Sequence, residues 1–92
     1  MNTEIRQRLV QAAKDVRTRE VLTCLYRDHP HGASFEGLKE LLYLHEDYKE
    51  ESLSGLADGK VLIVSGGRYK LTSSARQVLD RDPVILMDEF LR

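Results

Sequence analysis

One short stretch in the second half of the chain breaks an otherwise helical pattern, and it restricts the possible folds most. Residues 61–65, Val-Leu-Ile-Val-Ser, are rich in β-branched side chains, which is typical of a strand. Gly66-Gly67 is a two-residue hairpin turn signal. Residues 68–72, Arg-Tyr-Lys-Leu-Thr, alternate polar and apolar side chains, as a half-buried return strand does. The sequence therefore predicts a β-hairpin within a mostly helical α+β chain.

Two helical segments are predicted before residue 30. Apolar residues recur at helical spacing from Thr3 to Val16, with Asn2 or Thr3 available as a cap. Thr18 is a candidate cap for a second helix, which ends before Pro30 because the residue preceding a proline is pushed out of the α region. The two segments could equally form one long helix, since nothing at residues 17–19 forces a break.

Further helices are predicted on both sides of the hairpin. Ser34 is a suitable N-cap for a short helix that ends near residue 42, and a longer helix is expected over residues 46–58. Gly59 follows that helix, at a point where a helix end favours a residue with positive φ. After the hairpin, Thr72 or Ser73 is expected to cap one more helix, and Asp82-Pro83 to open a final helix that reaches residue 91.

Length and charge restrict the class of protein. A chain of 92 residues has room for one domain, 1–92, and its formal net charge of −1 excludes the strongly basic class of nucleic-acid binders. The charge is uneven, because residues 32–60 hold seven acidic and three basic side chains. No apolar run approaches the ~18 residues of a membrane span. Charged residues at positions 4, 6 and 8 interrupt the place where a signal peptide would be apolar, so we expect a cytoplasmic protein.

Spaced leucines and glycines connect the helix before the hairpin to the hairpin itself. The residues that follow this pattern are Leu53, Leu56, Gly59, Gly66, Gly67, Tyr69, Leu71 and Thr72. The pattern resembles the winged helix-turn-helix transcription regulators of bacteria and archaea, and residues 34–42 resemble the helix before their recognition helix. The resemblance covers residues 18–80. It implies a winged helix-turn-helix core with a two-stranded wing, between an N-terminal helix within 1–17 and a C-terminal helix within 83–92.

The resemblance also implies a function, namely binding of double-stranded DNA in transcription regulation. The helix over 46–58 would enter the major groove, and the wing over 65–70 would lie on the DNA backbone. Two features depart from the family pattern: Ser74-Ala75 stands where a glycine is usual, and the presumed recognition helix is acidic. The residues expected to contact DNA are Ser34, Lys49, Ser52, Ser54, Lys60, Arg68 and Lys70.

The acidic helix supports a second hypothesis. Four carboxylates, against one lysine, would face a phosphate backbone that dominates affinity for DNA. The alternative is a protein–protein interaction module that does not bind DNA and presents this face to a basic partner. A solvated helix face without any partner is a third interpretation, because acidic residues in a first helical turn favour the helix dipole. The four carboxylates are those of Glu46, Asp47, Glu50 and Glu51.

Neither an enzyme nor a cofactor is predicted. The single cysteine, Cys24, has no evident base partner, and Gly66-Gly67 lacks the Gly-Lys-Ser/Thr context of a phosphate loop. No Cys-x-x-Cys pair accompanies the histidines at positions 29, 31 and 45, so no metal site is expected. The apolar residues between positions 84 and 91 are expected either to fold back on the core or to pair with a second copy, and we favour a homodimer.

Overall fold

The computed structural model describes residues 3–87, which form a mostly helical α+β fold. The predicted α+β, mostly helical class and the predicted hairpin are thereby confirmed. One apolar core receives side chains from every element. In chain order the elements are α1 (Thr3–Ala13), α2 (Val16–Arg27), α3 (Phe35–Leu42), α4 (Glu51–Asp58), β1 (Leu62–Ser65), β2 (Arg68–Leu71), α5 (Ser73–Arg81) and a short 3-10 helix (Pro83–Leu86).

The turn between α1 and α2 differs from the prediction. α1 ends at Ala13, three residues early, and the alternative of one continuous helix is wrong. Asp15 has an extended backbone, and its carboxylate accepts the backbone N–H of Arg17 at 2.9 Å, so Asp15 caps α2. Thr18, the predicted cap, lies inside α2 and is buried. A carboxylate placed one turn earlier thus provided a cap that the hydrophobic pattern did not indicate.

Both ends of α3 carry identifiable caps. Ser34 Oγ accepts the backbone N–H of Gly37 at 3.0 Å, which confirms the predicted N-cap. At the other end Tyr43 has a left-handed backbone with φ 53°, and its N–H donates to the carbonyl of Lys39. The side chain of Tyr43 is 92% exposed. The backbone of Tyr43 is therefore set by helix termination and not by packing of its ring.

The helix expected over residues 46–58 is shorter than predicted, because only residues 51–58 are helical. The preceding segment holds Tyr48, which is 1% exposed. The ring of Tyr48 stacks with that of Phe35 at 6.4 Å between centroids, and its hydroxyl lies 2.7 Å from Thr18 Oγ1. These contacts draw residues 46–50 toward α2 and α3, and α4 begins only after them.

At the C-terminus of α4, the residue with positive φ is not the one that was expected. Gly59 has φ −83°, and it is Lys60 that has the left-handed backbone, with φ 65°. The N–H groups of Lys60 and of the residue after it form the two backbone hydrogen bonds of a Schellman motif. A Cβ on Gly59 would lie 2.7 Å from Nη1 of Arg8 on α1, which is the end of a flexible, exposed side chain and can shift. The left-handed position of this turn is thus occupied by a lysine and not by the glycine beside it.

Replacing Lys60 with glycine should therefore raise the free energy of unfolding, by up to about 1 kcal/mol, because it removes left-handed strain. Lys70→Gly removes the same charge from the interior of β2, where a glycine should lower stability by roughly 0.5–1 kcal/mol. Urea unfolding of both variants measures the two effects. Equal changes of the same sign would show that the backbone of Lys60 is not strained.

The hairpin has the predicted two-residue turn. Gly66 and Gly67 have φ 58° and 78°, the positive values that a type I′ turn requires, and each strand is one residue shorter than predicted. Ala33 forms an isolated antiparallel bridge with Tyr69, which ties the segment before α3 to β2. Side chains alternate between two faces of the hairpin. The inner face carries Leu62, Val64, Tyr69 and Leu71, and the outer face carries Ile63, Ser65, Arg68 and Lys70.

The C-terminal elements follow the prediction in part. Thr72 Oγ1 accepts the N–H of Ala75 at 3.1 Å and caps α5, as expected. The final element is a short 3-10 helix that begins at Pro83, and Met87 after it has an extended backbone. The prediction of one continuous helix from residue 83 to residue 91 is therefore wrong. Ile85 folds back and is fully buried in the core of its own chain. Residues 88–92 lie outside the described residues, and the homodimer stays a prediction.

Candidate nucleic-acid interface

The outer face of the hairpin brings three predicted DNA-contacting cations together. Arg68 and Lys70 alternate along β2 and therefore point to the same side as Ile63 of β1. Lys60 and Ile63 line one groove of about 390 Å³ beside this face. All three cationic side chains are exposed, and none of them forms an ion pair with another residue in the range 3–87. The positive charge of this face is thus not neutralised within the described chain.

The tip of the hairpin is bare. A Cβ built on Gly66 or Gly67 would meet no atom within 4 Å, and both residues are exposed. Ser65 and Arg68, the pair that closes the turn, flank this tip. A tip without side chains allows another molecule to approach the backbone closely, with Arg68 at its edge.

A buried tyrosine connects the hairpin to the start of α4. Tyr69 is 5% exposed, and its hydroxyl donates to Glu50 Oε2 at 2.7 Å. This hydrogen bond, together with desolvation of the hydroxyl, raises the pKa of Tyr69, while the hydrogen bond with Ser54 acts in the opposite direction. Glu50 is therefore a residue that holds the hairpin against α4, in addition to being one of the four predicted acidic-face residues.

Asp47 is likewise engaged within the chain. Its Oδ1 lies 2.8 Å from Nη1 of Arg17 and 3.1 Å from Nδ1 of His45. Desolvation acts to raise the pKa of Asp47, but the hydrogen bond with His45 and the charge of Arg17 outweigh it and lower that pKa. The guanidinium of Arg17 also lies 5.1 Å from the centroid of the Tyr48 ring. Together these contacts fix the segment before α4 on α2.

The acidic face predicted for the recognition helix is therefore divided. Glu46 lies in the irregular segment, and Glu51 is the one member of the predicted quartet inside α4. Asp58, which the sequence analysis did not single out, is the other carboxylate of this helix. α4 contains no lysine or arginine, and Lys49 precedes it as an exposed residue. The predicted crowding of four carboxylates on one helix is reduced to two, at its opposite ends.

The predicted serine contacts have three different settings. Ser34 uses its hydroxyl to cap α3, so that side chain already has a partner. Ser52 lines a groove between α1 and α4, and Ser54 is exposed near Tyr69. Only Ser54 thus lies on the side of α4 that borders the hairpin.

The cysteine and histidines do not form a metal site among the residues that the structure describes. Within 3–87, no three His, Cys, Asp or Glu side chains are grouped closely enough to hold an ion. Cys24 is buried in the core, and burial, followed by the charge of Asp28, raises the pKa of its thiol.

No helix within residues 3–87 is both long enough and apolar enough to cross a membrane.

The residues that position the site were not predicted from the sequence. Arg17 bonds Asp47, and Thr18 bonds Tyr48, in each case thirty residues away along the chain. The signal available in the sequence was a lone aromatic residue inside a charged segment, which is unusual for a solvated helix face.

No protein-family model, curated protein or solved structure matches this chain. The chemistry of its own residues carries the functional argument.

Proposed function

We propose that this chain is a winged helix-turn-helix domain that binds double-stranded DNA in transcription regulation. The order of elements supports this reading: α2 is followed by the Ala33 bridge, α3, α4 and a hairpin whose second strand pairs with Ala33. In this arrangement α3 and α4 form the helix-turn-helix, and β1 and β2 form the wing. α1 and the C-terminal 3-10 helix are additions to that core.

The observation that carries the proposal is the outer face of the hairpin. Lys60, Arg68 and Lys70 lie on or beside one face, are exposed, and have no ion-pair partner among the described residues. Lysine and arginine that neutralise phosphates release condensed counterions, and this release supplies most of the sequence-independent affinity for DNA. The bare turn between the strands would let the wing lie along the sugar–phosphate backbone.

In this mechanism α4 faces the major groove but forms few contacts that distinguish one base from another. Base discrimination relies on side chains such as Arg, Lys, Asn and Gln in the groove. α4 offers only Ser52 and Ser54, with Lys49 just before its start. Affinity therefore comes mainly from the wing cations and from Lys49, and we expect weak discrimination between DNA sequences.

Reversing the charge of Arg68 tests the proposal. Arg68→Glu should weaken binding to a mixed-sequence duplex by about tenfold and lower the slope of log K against log salt by about 0.9, the value for one phosphate contact. Fluorescence anisotropy between low and physiological salt measures both quantities. Lys14→Glu is the matched control, since Lys14 is exposed in the turn between α1 and α2. Equal weakening by the two variants would indicate only a response to net charge.

A second candidate function is a protein-interaction module, and one observation favours it. The exposed surface of α4 carries Glu51 and Asp58 and no positive charge, which repels phosphate. Under this hypothesis the unmodified chain gives no anisotropy change with duplex even at low salt. The same titration therefore separates the two functions before any variant is made.

A further inference from the structure

The turn over residues 29–32 lies against the edge of β2 that β1 does not occupy. Ala33, directly after this turn, exchanges two backbone hydrogen bonds with Tyr69, of 2.9 and 2.8 Å. The turn itself is closed by the N–H of Gly32, which donates to the carbonyl of His29 at 2.9 Å. Since β1 pairs with β2 along the other edge, the turn extends the hairpin on its far side.

Gly32 brings this turn directly beside Lys70. A Cβ built on Gly32 would lie only 3.1 Å from the Cβ of Lys70, so the backbone of the turn passes next to the stem of that lysine. Lys70 shares the outer face of the hairpin with Arg68. The turn therefore borders the cationic face on the side away from β1.

His31 is an exposed side chain of this turn, one residue before Gly32. Its imidazole forms no hydrogen bond or ion pair with another residue in the range 3–87, whereas His29 is half-buried. Histidine is the side chain that changes its charge between about pH 5 and pH 8. The cationic face thus has at its border a group that becomes positive as the pH falls.

The permanent charges around the turn do not change over this pH range. They are Arg27 and Asp28 at the end of α2, Glu36 in α3, Arg68 and Lys70 in β2, and Arg76 and Asp80 in α5. Carboxylates, lysines and arginines keep their charge between about pH 5.5 and pH 8. The four cations and three carboxylates therefore form a constant background, with a small positive excess.

The other titratable groups nearby stay neutral. Desolvation raises the pKa of Cys24 above its already alkaline ordinary value. Hydrogen bonds to Asp80 and to Glu50 are the main causes that raise the pKa values of Tyr26 and Tyr69. Among the described residues around this turn, a change of charge below pH 8 therefore falls on the two histidines.

We propose that His31 is a further DNA-contacting residue and that its protonation makes the affinity for DNA rise as the pH falls. This inference rests on the proposed function. A protonated imidazole beside Lys70 neutralises one more phosphate and releases the counterions condensed there. Because the phosphate backbone favours the charged form, binding of DNA takes up a proton on His31. Affinity is therefore lowest above the range in which histidine titrates and highest below it.

Titration of the full chain with a mixed-sequence duplex at two pH values tests the inference. Fluorescence anisotropy at about pH 8 and about pH 5.5 should show binding roughly tenfold tighter at the lower pH. The slope of log K against log salt should also be steeper there by about 0.9, the value for one phosphate contact. His31→Gln should bind as the parent does at the higher pH and lose most of the gain at the lower one.

Two further variants make the assignment to His31 specific. His31→Arg carries a permanent charge, so it should bind at pH 8 about as tightly as the parent does at pH 5.5. His45→Gln is the matched control, because His45 is also exposed but lies 3.1 Å from the Asp47 carboxylate, which neutralises its protonated form. This control should keep the gain in affinity at low pH.

The outcomes separate this inference from the proposed function. If the parent and His31→Gln bind DNA with the same pH dependence, His31 is not a contact, and the proposed function stands without it. The same conclusion follows if His31→Arg binds no more tightly than the parent at pH 8. If the parent binds no duplex at either pH, the proposed function is refuted, and this inference is refuted with it.

Discussion

Replacing Tyr48 with alanine should lower the free energy of unfolding by about 3–5 kcal/mol, the range for removing a buried aromatic side chain. Tyr48 is the largest fully buried side chain among the described residues. Its loss removes the ring contact with Phe35 and leaves the Thr18 hydroxyl without its buried partner. A small domain has a total stability of only about 5–15 kcal/mol, so urea unfolding of the variant should begin at much lower concentration.

Two further variants make the Tyr48 prediction specific. Tyr48→Phe keeps the ring but removes the hydroxyl bond to Thr18, and it should cost about 1–2 kcal/mol. Tyr43→Ala is the control, because Tyr43 is almost fully exposed only five positions away and should change stability by less than about 0.5 kcal/mol. Similar losses for Tyr43→Ala and Tyr48→Ala would contradict the burial described for residue 48.

Replacing Gly32 with alanine is the second large expected effect, a loss of about 2–4 kcal/mol. Gly32 has φ +97°, a region that L side chains rarely adopt, and this strain accounts for about 1–3 kcal/mol. A Cβ there would also lie 2.8 Å from the carbonyl oxygen of Tyr69, which is backbone and cannot move freely. That carbonyl accepts the N–H of Ala33 at 2.9 Å, so the clash falls on the bridge between α3 and the hairpin.

Gly55→Ala should change the free energy of unfolding in the opposite direction, and it serves as the control for Gly32→Ala. With open space around its Cβ and an ordinary helical backbone, the alanine should stabilise the chain by about 0.5–1 kcal/mol. Thermal and urea unfolding of the two variants give the comparison. If Gly32→Ala were as stable as the parent, the close approach of residue 32 to β2 would be wrong.

The variants Tyr48→Ala and Gly32→Ala also concern the proposed interface. Tyr48 and Asp47 hold the segment before α4, and the Ala33 bridge holds the hairpin. Both parts of the proposed DNA surface are therefore positioned by contacts that lie outside it. A change in either anchor should affect DNA binding only through the placement of α4 or of the wing.

The cationic part of the candidate site was predictable from the sequence, and the acidic part was not. Arg68 and Lys70 could be assigned to one face because alternation along a strand fixes which side chains share a side. The acidic face could not, because it depended on a helix that was expected to start at residue 46. Tyr48 satisfied the pattern of a helix, yet its tertiary partners Thr18 and Phe35 held it in a different conformation.

The amino-acid sequence by itself determined the elements whose signals are local. The Gly66-Gly67 turn and the caps at Ser34 and Thr72 depend on the intrinsic geometry of a few neighbouring residues, and they occur as expected. Tertiary structure decided the start of α4 and the open groove between α1 and α4. Each of these depends on contacts between residues distant in the chain. Local propensities of a few tenths of a kcal/mol to about 1 kcal/mol are too small to resist the burial of a side chain such as Tyr48.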